Sequence, residues 1–395
     1  MSFSYISLFS GLGGFEQALN NQGGKCLLSS EINVQANKAY QILYGEPTAG
    51  DIKDIPDFSI PKCDILVAGF PCQSFSAAGN RGGLTDARGT LFYEVLRVVT
   101  HAEPKAFILE NVLGLLTHGG GRTIQTILRL LSFLPYRFDF KLLNSSDFNL
   151  PQHRERFILV GIHKNLSIQE DWPLPTKNPL LIERTKKIFQ ASTDSHDYMF
   201  NFAFPQSLPL EKTLSDMLMP LEEISSDYFF SEERTQRILD KLAAFDDEPT
   251  TALYKRRPQV LRKVRTPYAK KIRKEYEAGT LPIKRSTLYF HLPRCNDKSN
   301  TLTTVITDNL VIGYSNNKTY IRYLHPKECL ALQGFPSTVY TKLAPHIPKT
   351  HLYRMSGNAV SVPLIESVLK SVLPYLQIKE ENNVSRETTI LEHPN

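Results

Sequence analysis

Cys72 is the residue in this sequence that best fits the role of a nucleophile. It ends the segment Gly69-Phe70-Pro71-Cys72, directly after an apolar run at 64–68 that predicts a buried β-strand. A structural cysteine normally lies inside a strand or helix, and for a cysteine taken alone that interpretation is the more frequent one. Cys72 instead lies past the strand end and before a polar, glycine-containing loop at 73–90, where reactive side chains are commonly found. Its position therefore indicates a thiolate nucleophile.

Glu110 is a candidate acid at the same edge of the predicted sheet. It follows the apolar run 106–109, which predicts a neighbouring strand. Desolvation at an apolar strand end favours the protonated form of a carboxyl group, which can then donate a proton. The competing interpretation is a helix N-cap or a solvated turn.

Two arginines open the last predicted strand of this region. In Gln152-His153-Arg154-Glu155-Arg156, side-chain alternation puts Arg154 and Arg156 on one face. Guanidinium groups at the active edge can hold a phosphate and a carbonyl in fixed geometry. The alternative is an edge strand with ordinary solvated charges.

A glycine-rich turn precedes the first predicted helix. Gly11, Gly13 and Gly14 follow a short strand, and glycines let backbone N–H groups and a helix N-terminus approach a ligand closely. Glu31 ends the next strand, where a carboxylate can accept hydrogen bonds from ribose hydroxyls. Asp51, which we place after a third weak strand, could reach an adenine. The pattern predicts an adenosine-containing ligand at the carboxyl ends of the strands.

The elements that position these residues alternate between strand and helix over residues 1–165. The predicted strands are 5–9, 26–30, 64–68, 106–109, 136–143 and 157–162, and the predicted helices are 14–21, 34–43, 91–100 and 122–133. This alternation predicts an α/β fold with a mostly parallel sheet that is covered on both faces. The last two strands are joined too closely for a crossover helix, so we expect them to pair antiparallel.

The patterning changes after about residue 165. Residues 166–320 are rich in Pro, Lys and Tyr with poor periodicity, and predict a smaller irregular domain with short helices such as 231–245. Regular patterning at 324–332 and 360–376 predicts a return to the first domain over 321–376. The polar tail at 377–395 is expected to be disordered.

Basic residues are concentrated in one window of the second domain. Residues 255–274 hold ten Lys or Arg and no acid, in a chain whose net charge is +6. Local basicity of this kind indicates a polyanionic partner, and the prolines favour an extended segment along a phosphate backbone. The alternative is a solvated loop whose charges aid solubility.

The composition argues against several classes of protein. The five cysteines are widely spaced without a Cys-x-x-Cys pair, which argues against a disulfide framework and against a zinc site or any other metal site. No apolar run reaches the roughly 18–20 residues of a membrane helix, and the N-terminus lacks the basic region of a signal peptide. We therefore expect a cytoplasmic protein with no membrane contact.

In chain order, these motifs resemble those of the DNA (cytosine-5-)-methyltransferases of bacterial type II restriction–modification systems. The matching elements are FSGLGG at 9–14, Glu31, Asp51, PCQSFS at 71–76, ENV at 110–112, QHRER at 152–156, LHPKECLALQGFP at 324–336 and GNAV at 357–360. They span 5–163 and 322–376. The combination of PCQ, ENV and QxRxR in this order is highly specific.

The resemblance implies a fold, an activity and partners. The fold would be the Rossmann-like methyltransferase fold with an antiparallel last strand, and 166–320 would be a target-recognition domain. The activity would be methylation of a cytosine flipped out of a specific site in double-stranded DNA, with S-adenosyl-L-methionine as cofactor and S-adenosyl-L-homocysteine as product. A monomer and a functional partnership with a cognate restriction endonuclease would follow.

The resemblance also implies residue roles. Cys72 would be the nucleophile, Glu110 the acid at cytosine N3, Arg156 a group near the base carbonyl and Arg154 a phosphate ligand. The residues that would line the cofactor pocket are Phe9, Gly11, Leu12, Gly13, Gly14, Glu31, Ile32, Asp51, Ile52, Pro71, Leu91, Asn358 and Ala359.

Three positions depart from the family pattern, and three alternatives stay open. Ile32 stands where relatives often have an aromatic residue, Ala359 where serine is usual, and Ala78 where some relatives have a polar residue. One alternative is a tRNA cytosine-5 methyltransferase of the same family, although the Cys-Phe-Thr element of that branch is missing from the middle region. The others are a nicotinamide-dependent oxidoreductase and a catalytically silent DNA-binding relative.

Overall fold

The computed structural model describes residues 2–71, 91–166, 202–243, 254–265, 289–293 and 297–377. The predictions made above for Cys72, the loop at 73–90 with Ala78, residues 266–274 of the basic window and the tail from 378 onward lie outside these ranges.

A six-stranded sheet organises the first part of the chain. Its strands are β1 (Phe3–Leu8), β2 (Gly24–Ser30), β3 (Ile65–Ala68), β4 (Ala106–Val112), β5 (Tyr136–Asn144) and β6 (Glu155–His163). Their order across the sheet is β2-β1-β3-β4-β6-β5. The strands β1 to β4 are parallel, and β6 is inserted antiparallel between β4 and β5. The predicted α/β fold with a mostly parallel sheet and an antiparallel last strand is confirmed.

Helices bury both faces of this sheet. The helices of the first region are α1 (Gly14–Asn21), α2 (Val34–Tyr44), α3 (Leu91–Ala102) and α4 (Arg122–Ser132). All four residues of β3 are fully buried, with Ile65 and Val67 facing the side of α1 and α2, and Leu66 and Ala68 facing α3 and α4. Burial of an Ile, Leu or Val side chain contributes about 1.5–3 kcal/mol. The carboxyl ends of β1, β3 and β4 therefore meet at one rigid edge.

The predicted strand before Asp51 is wrong. No strand lies between α2 and Asp51, since Gly45 ends α2 with a φ of 92° and Gly50 has a φ of 82°. Backbone in this left-handed region cannot continue an extended strand. Asp51 instead caps a short 3₁₀ helix at Ile52–Asp54, and its carboxylate accepts a hydrogen bond from the Lys53 N–H at 3.1 Å.

The second part of the chain contains a separate antiparallel sheet where the poor periodicity predicts irregular backbone. Its strands are β7 (Gln259–Arg265), β8 (Tyr289–Pro293), β9 (Leu310–Ser315) and β10 (Lys318–Tyr323), in the order β10-β9-β7-β8. Helix α5 (Glu232–Ala243) packs beside it. The strand β7 falls in the basic window, where cations interrupt the apolar alternation that would announce a strand. The β9–β10 turn at Asn316 and Asn317, with φ of 49° and 58°, is a hairpin signal that the sequence does carry.

Four helices close the chain against the first sheet. They are α6 (Pro326–Leu332), α7 (Ser337–Leu343), α8 (Lys349–Asn358) and α9 (Val362–Leu376). Within the described ranges, residues 349–376 form one stretch with the length and mean hydropathy, 1.3, of a membrane span, and 61% of its apolar window is buried inside the protein. Ile365, Val368 and Val372 of α9 pack in the same core as α1, which is the behaviour of a core helix.

A buried ion pair connects the second sheet to α6. The Arg322 guanidinium donates two hydrogen bonds to the Glu328 carboxylate, each at 2.8 Å, and both side chains are at most 1% exposed. Glu328 also accepts hydrogen bonds from the backbone N–H groups of Met219 and His325. A buried pair of this kind is costly to break because the remaining charge has no compensation.

We expect Glu328→Gln to lower the free energy of unfolding by about 3–5 kcal/mol, because it leaves Arg322 buried without a counter-ion. Urea denaturation followed by circular dichroism measures this loss. The matched control is Glu232→Gln, which removes the carboxylate of an exposed pair with Lys318 and should leave the urea midpoint unchanged. Equal midpoints for all three proteins would contradict the importance of the buried pair.

Candidate active site

The turn between β1 and α1 reverses the chain through three residues with positive φ. These are Phe9 at 57°, Gly11 at 56° and Gly13 at 84°. A Cβ atom at Gly13 would lie 2.3 Å from the Tyr44 ring, whose hydroxyl donates a hydrogen bond to the Gly13 carbonyl at 2.6 Å. A Cβ atom at Gly11 would meet no atom of the described residues within 4 Å. The Tyr44 ring therefore supports the turn at Gly13, whereas the space next to Gly11 is open.

The turn and Glu31 are in direct contact. One Glu31 carboxylate oxygen accepts a hydrogen bond from the Gly11 N–H at 2.9 Å, and the other accepts from the Asn33 N–H at 2.7 Å. Ile32 is 70% exposed next to it. The predicted residues Glu31, Ile32 and Asp51 line one cavity of about 310 Å³, together with Val34, Asn37, Lys38, Gln41, Pro47 and Gly50. The cavity joins carboxylates to an apolar surface, a combination suited to a nucleoside.

The segment between α8 and α9 packs against the glycine turn. A Cβ atom at Gly14 would lie 2.8 Å from a methyl group of Val360. Asn358 is exposed at the end of α8, whereas Ala359 is buried. The Asn21 side chain at the end of α1 donates a hydrogen bond to Glu366 of α9 at 2.6 Å. Residues 358–366 therefore lie next to residues 14–21, although the two segments are far apart in the sequence.

The other predicted pocket residues occupy supporting positions. Leu12 and Ile52 are buried, and Leu91 at the start of α3 is half-buried against the core. Pro71 is exposed and ends the first described range.

Glu110 lies beside the backbone that leads to Cys72. A Cβ atom at Gly69 would lie 3.7 Å from one Glu110 carboxylate oxygen. The neighbouring Asn111 side chain donates a hydrogen bond to the Phe70 carbonyl at 2.7 Å, and the Phe70 ring is buried against Phe92. A hydrogen bond thus connects the turn after β3 to the end of β4 at Phe70, two residues before Cys72 in the sequence.

Glu110 and Arg156 form an ion pair across the antiparallel strands β4 and β6. The Arg156 Nε atom lies 2.8 Å from a Glu110 carboxylate oxygen, and each side chain is 11% exposed. The Arg156 guanidinium also donates a hydrogen bond to the Glu155 carbonyl at 2.8 Å. This arrangement fixes the orientation of the carboxylate at the edge of the sheet, in a site that is largely shielded from water.

The structure corrects the expectation that Arg154 binds phosphate. Arg154 is 1% exposed, and its guanidinium donates hydrogen bonds to the carbonyls of Gly357 at 3.0 Å and Ala359 at 2.7 Å. A guanidinium in that position cannot reach a phosphate without leaving both partners. Side-chain alternation puts Arg154 and Arg156 on the same face of β6. At Arg154, however, the 357–361 segment covers this face.

Sequence reasoning did not single out Glu16, which is fully buried in the first turn of α1 beneath the glycine turn. Burial raises the pKa of this carboxyl group, and the hydroxyls of Ser7 and Ser10 offset the effect only in part. The available signal was its position next to Phe15, Ala18 and Leu19, on the face of α1 that is buried. Glu16 therefore keeps its proton to a higher pH in the folded protein than in the unfolded chain.

We expect this proton to make stability fall as pH rises. Between about pH 4.5, the ordinary value for glutamate, and the raised pKa of Glu16, the folded state binds one more proton than the unfolded state. The free energy of unfolding should therefore decrease by up to about 1.4 kcal/mol per pH unit in that window. Urea denaturation of the wild type and of Glu16→Gln from pH 5 to pH 8 isolates the effect, because the variant lacks this slope. Parallel curves for the two proteins would contradict it.

Comparisons with known proteins agree on one family. The family model described as C-5 cytosine-specific DNA methylase matches residues 3–373. The chain is 32% identical over 381 residues to the type II methyltransferase M.HpaII of Haemophilus parainfluenzae, covering 95% of this chain and 90% of that protein. It is 32% identical over 368 residues to the type II methyltransferase M.NgoBI of Neisseria gonorrhoeae, covering 93% and 92%. The structure resembles the Dnmt2 methyltransferase of S. pombe with a TM-score of 0.59 at 18% identity, covering 95% of this chain and 100% of that one, a likeness of fold.

Proposed function

Since the chain belongs to the C-5 cytosine-specific DNA methylase family and is a DNA cytosine-5 methyltransferase, we propose that it methylates a cytosine flipped out of a specific duplex site, through a covalent adduct with Cys72. The observation that supports this mechanism is the shielded Glu110–Arg156 pair beside the turn that leads to Cys72. The acid and the nucleophile of such a reaction must lie at the same edge of the sheet, and Glu110 lies beside Gly69, three residues before Cys72 in the sequence.

We propose S-adenosyl-L-methionine as the cofactor, which supplies an activated methyl group on a sulfonium when bound. The residues present fit it, because the space above Gly11 is open and Glu31 and Asp51 offer carboxylates beside the apolar Ile32. Glu31 would accept hydrogen bonds from ribose hydroxyls, and Ile32 would pack against the adenine. The Phe9–Gly14 turn and the Asn358–Ala359 segment would bind the amino-acid part. Ala359 lacks the hydroxyl that serine would contribute there.

The residues of the chain then activate the base. C5 of cytosine is a weak nucleophile, and addition of the Cys72 thiolate to C6 converts the ring into an enamine whose C5 is reactive. The protonated form of Glu110 gives its proton to N3 and so relieves the negative charge that this addition creates, while Arg156 holds the carboxyl group in place. After C5 is methylated, a general base takes the C5 proton, N3 returns its proton to Glu110, and the sulfur–carbon bond breaks to release Cys72.

Residues 166–320 are proposed as the target-recognition domain and 321–376 as the return to the catalytic domain. The second sheet, which ends at Tyr323, would present the basic strand β7 to phosphates while loops read bases in the major groove. A base inside a stacked duplex cannot be reached, so it must be flipped, at a cost of a few kcal/mol that the DNA contacts offset.

A reactive Cys72 thiol requires a reducing compartment, so the cytoplasm is the expected location. We also propose double-stranded DNA as the substrate, a monomer as the active form and a cognate restriction endonuclease as the functional partner.

Bisulfite sequencing of a plasmid from cells that express the protein tests this function. We expect cytosines resistant to conversion at one short sequence context, and complete conversion in cells with an empty vector. Complete conversion in both cultures would overturn the proposed DNA activity. Incorporation of labelled methyl groups into tRNA, without incorporation into duplex DNA, would favour the tRNA branch of the family.

A further inference from the structure

Arg154 bonds two segments that are far from it and from each other in the sequence. Its guanidinium donates hydrogen bonds to the carbonyls of Gly357 and Ala359, and a longer one, at 3.4 Å, to the carbonyl of Leu302. No ion pair involves this guanidinium among the residues that the structure describes. Within the described residues its hydrogen bonds go to carbonyl groups, and the charge of Glu110 stabilises it from further away. Burial of such a cation costs free energy relative to an apolar side chain of similar volume, which makes Arg154 a candidate for a role beyond stability.

Gln152 connects the same residue, Leu302, to α6. Its side-chain carbonyl accepts a hydrogen bond from the Leu302 N–H at 3.0 Å, and its amide donates to the Leu332 carbonyl at 2.6 Å. The backbone of His153 is bonded to the carbonyl of Ser299 at 2.9 Å, and the Thr301 hydroxyl donates to the His153 carbonyl at 2.7 Å. Residues 299–302 are therefore held along the start of β6 by both backbone and side chains.

The two segments that Arg154 joins also touch each other. A Cβ atom at Gly357 would lie 2.6 Å from the carbonyl group of Thr303. The segment 299–304 comes from the region proposed to recognise DNA, and 357–359 from the region proposed to bind the cofactor. The two segments therefore pack backbone against backbone at Gly357.

We propose that Arg154 is a positioning residue that couples the 299–304 segment to the 357–359 segment, so that duplex DNA and cofactor strengthen each other's binding. This inference rests on the proposed function, which assigns DNA and S-adenosyl-L-methionine to these two regions. The fork of the guanidinium suits the task, because it bonds carbonyls of both segments at once. A lysine at this position keeps the charge but presents a single ammonium, which cannot hold the same set of carbonyls.

The test is a thermodynamic cycle on the full-length protein. Isothermal titration calorimetry gives the Kd of S-adenosyl-L-homocysteine with and without a duplex that carries the site found by bisulfite sequencing. Coupling between two ligand sites is typically about 5–150-fold. We expect duplex DNA to tighten product binding to the wild type within that range, and Arg154→Lys to reduce the ratio at least about threefold. In turnover, the KM for S-adenosyl-L-methionine should rise more than kcat falls.

Arg322→Lys is the matched control, since Arg322 is equally buried but bonds Glu328 and neither coupled segment. It should keep the coupling ratio of the wild type. A second variant, Arg154→Met, should abolish the coupling. If Arg154→Met shows no cooperative unfolding transition in urea, it is not folded, and Arg154→Lys alone decides the question.

Folded Arg154→Lys with an unchanged ratio would overturn the inference, and so would a wild type that binds both ligands without coupling, in which case the proposed function still stands. A wild type that binds neither ligand would overturn both proposals.

Discussion

We expect Cys72→Ser to lose methyl transfer to DNA, with kcat lower by about 10⁴-fold or more. A thiol ionises with a pKa of about 8.5 and its thiolate is a strong nucleophile, whereas a serine hydroxyl without an adjacent base is not ionised near neutral pH. Single-turnover incorporation of a labelled methyl group measures the loss. The Kd of S-adenosyl-L-homocysteine should stay within about threefold of the wild-type value, because the proposed pocket consists of other residues. Comparable turnover in the serine variant would refute the assignment of the nucleophile.

The covalent step can be observed directly with 5-fluorocytosine at the target position. With S-adenosyl-L-methionine supplied, C5 is methylated and the fluorine cannot then leave as the proton does, so the sulfur–carbon bond persists and the protein migrates with the duplex on a denaturing gel. We expect this complex with the wild type and none with Cys72→Ser. Cys63→Ser is the matched control, since burial raises the pKa of Cys63 to about 12 and keeps that thiol protonated. Absence of the complex with the wild type would disprove covalent catalysis.

Local sequence patterns predict the catalytic sheet well because each of its elements is apolar on the side that is buried. The bounds predicted for α1 agree with Gly14–Asn21, since glycines open it and its buried face is continuous. The strand predicted at 157–162 is longer at both ends, Glu155–His163, because polar residues at strand ends still pair through the backbone. The glycine turn and Glu31 could be predicted because strand ends in a parallel sheet bring their residues together. Arg156 meets Glu110 for a different reason, since β6 begins at the edge where its antiparallel partner β4 ends.

The destinations of buried polar side chains could not be predicted in this way. Arg154 bonds to residues 203 and 205 positions away, and no local period contains that information. Glu16 is polar by composition but lies on the buried face of its helix. The cations of β7 interrupt the apolar alternation that would have predicted a strand. A polyanionic partner would explain why these cations are present. The role of Cys72 stays a prediction from its place in the sequence, which is why its chemistry needs the direct test.

Glu110→Gln should lower kcat by about 10²–10³-fold, the usual effect of removing one group that stabilises developing charge. Glutamine preserves the shape of the side chain and can accept a hydrogen bond from Arg156, so the fold of the edge should persist. It cannot protonate N3, so the negative charge created by Cys72 addition is left uncompensated. The covalent complex with 5-fluorocytosine should therefore still form, but at a rate reduced to the same extent as kcat.

This graded result separates the acid from the nucleophile, because Cys72→Ser forms no complex at all. Glu94→Gln is the matched control: Glu94 also forms a partly buried pair with an arginine, Arg97, at 2.8 Å, but it lies on α3 and is not among the proposed site residues. Its kcat should stay within about twofold of the wild-type value. If Glu110→Gln turned over as fast as Glu94→Gln, the Glu110–Arg156 pair would be only a structural connection between β4 and β6, and N3 would have to be protonated by another group.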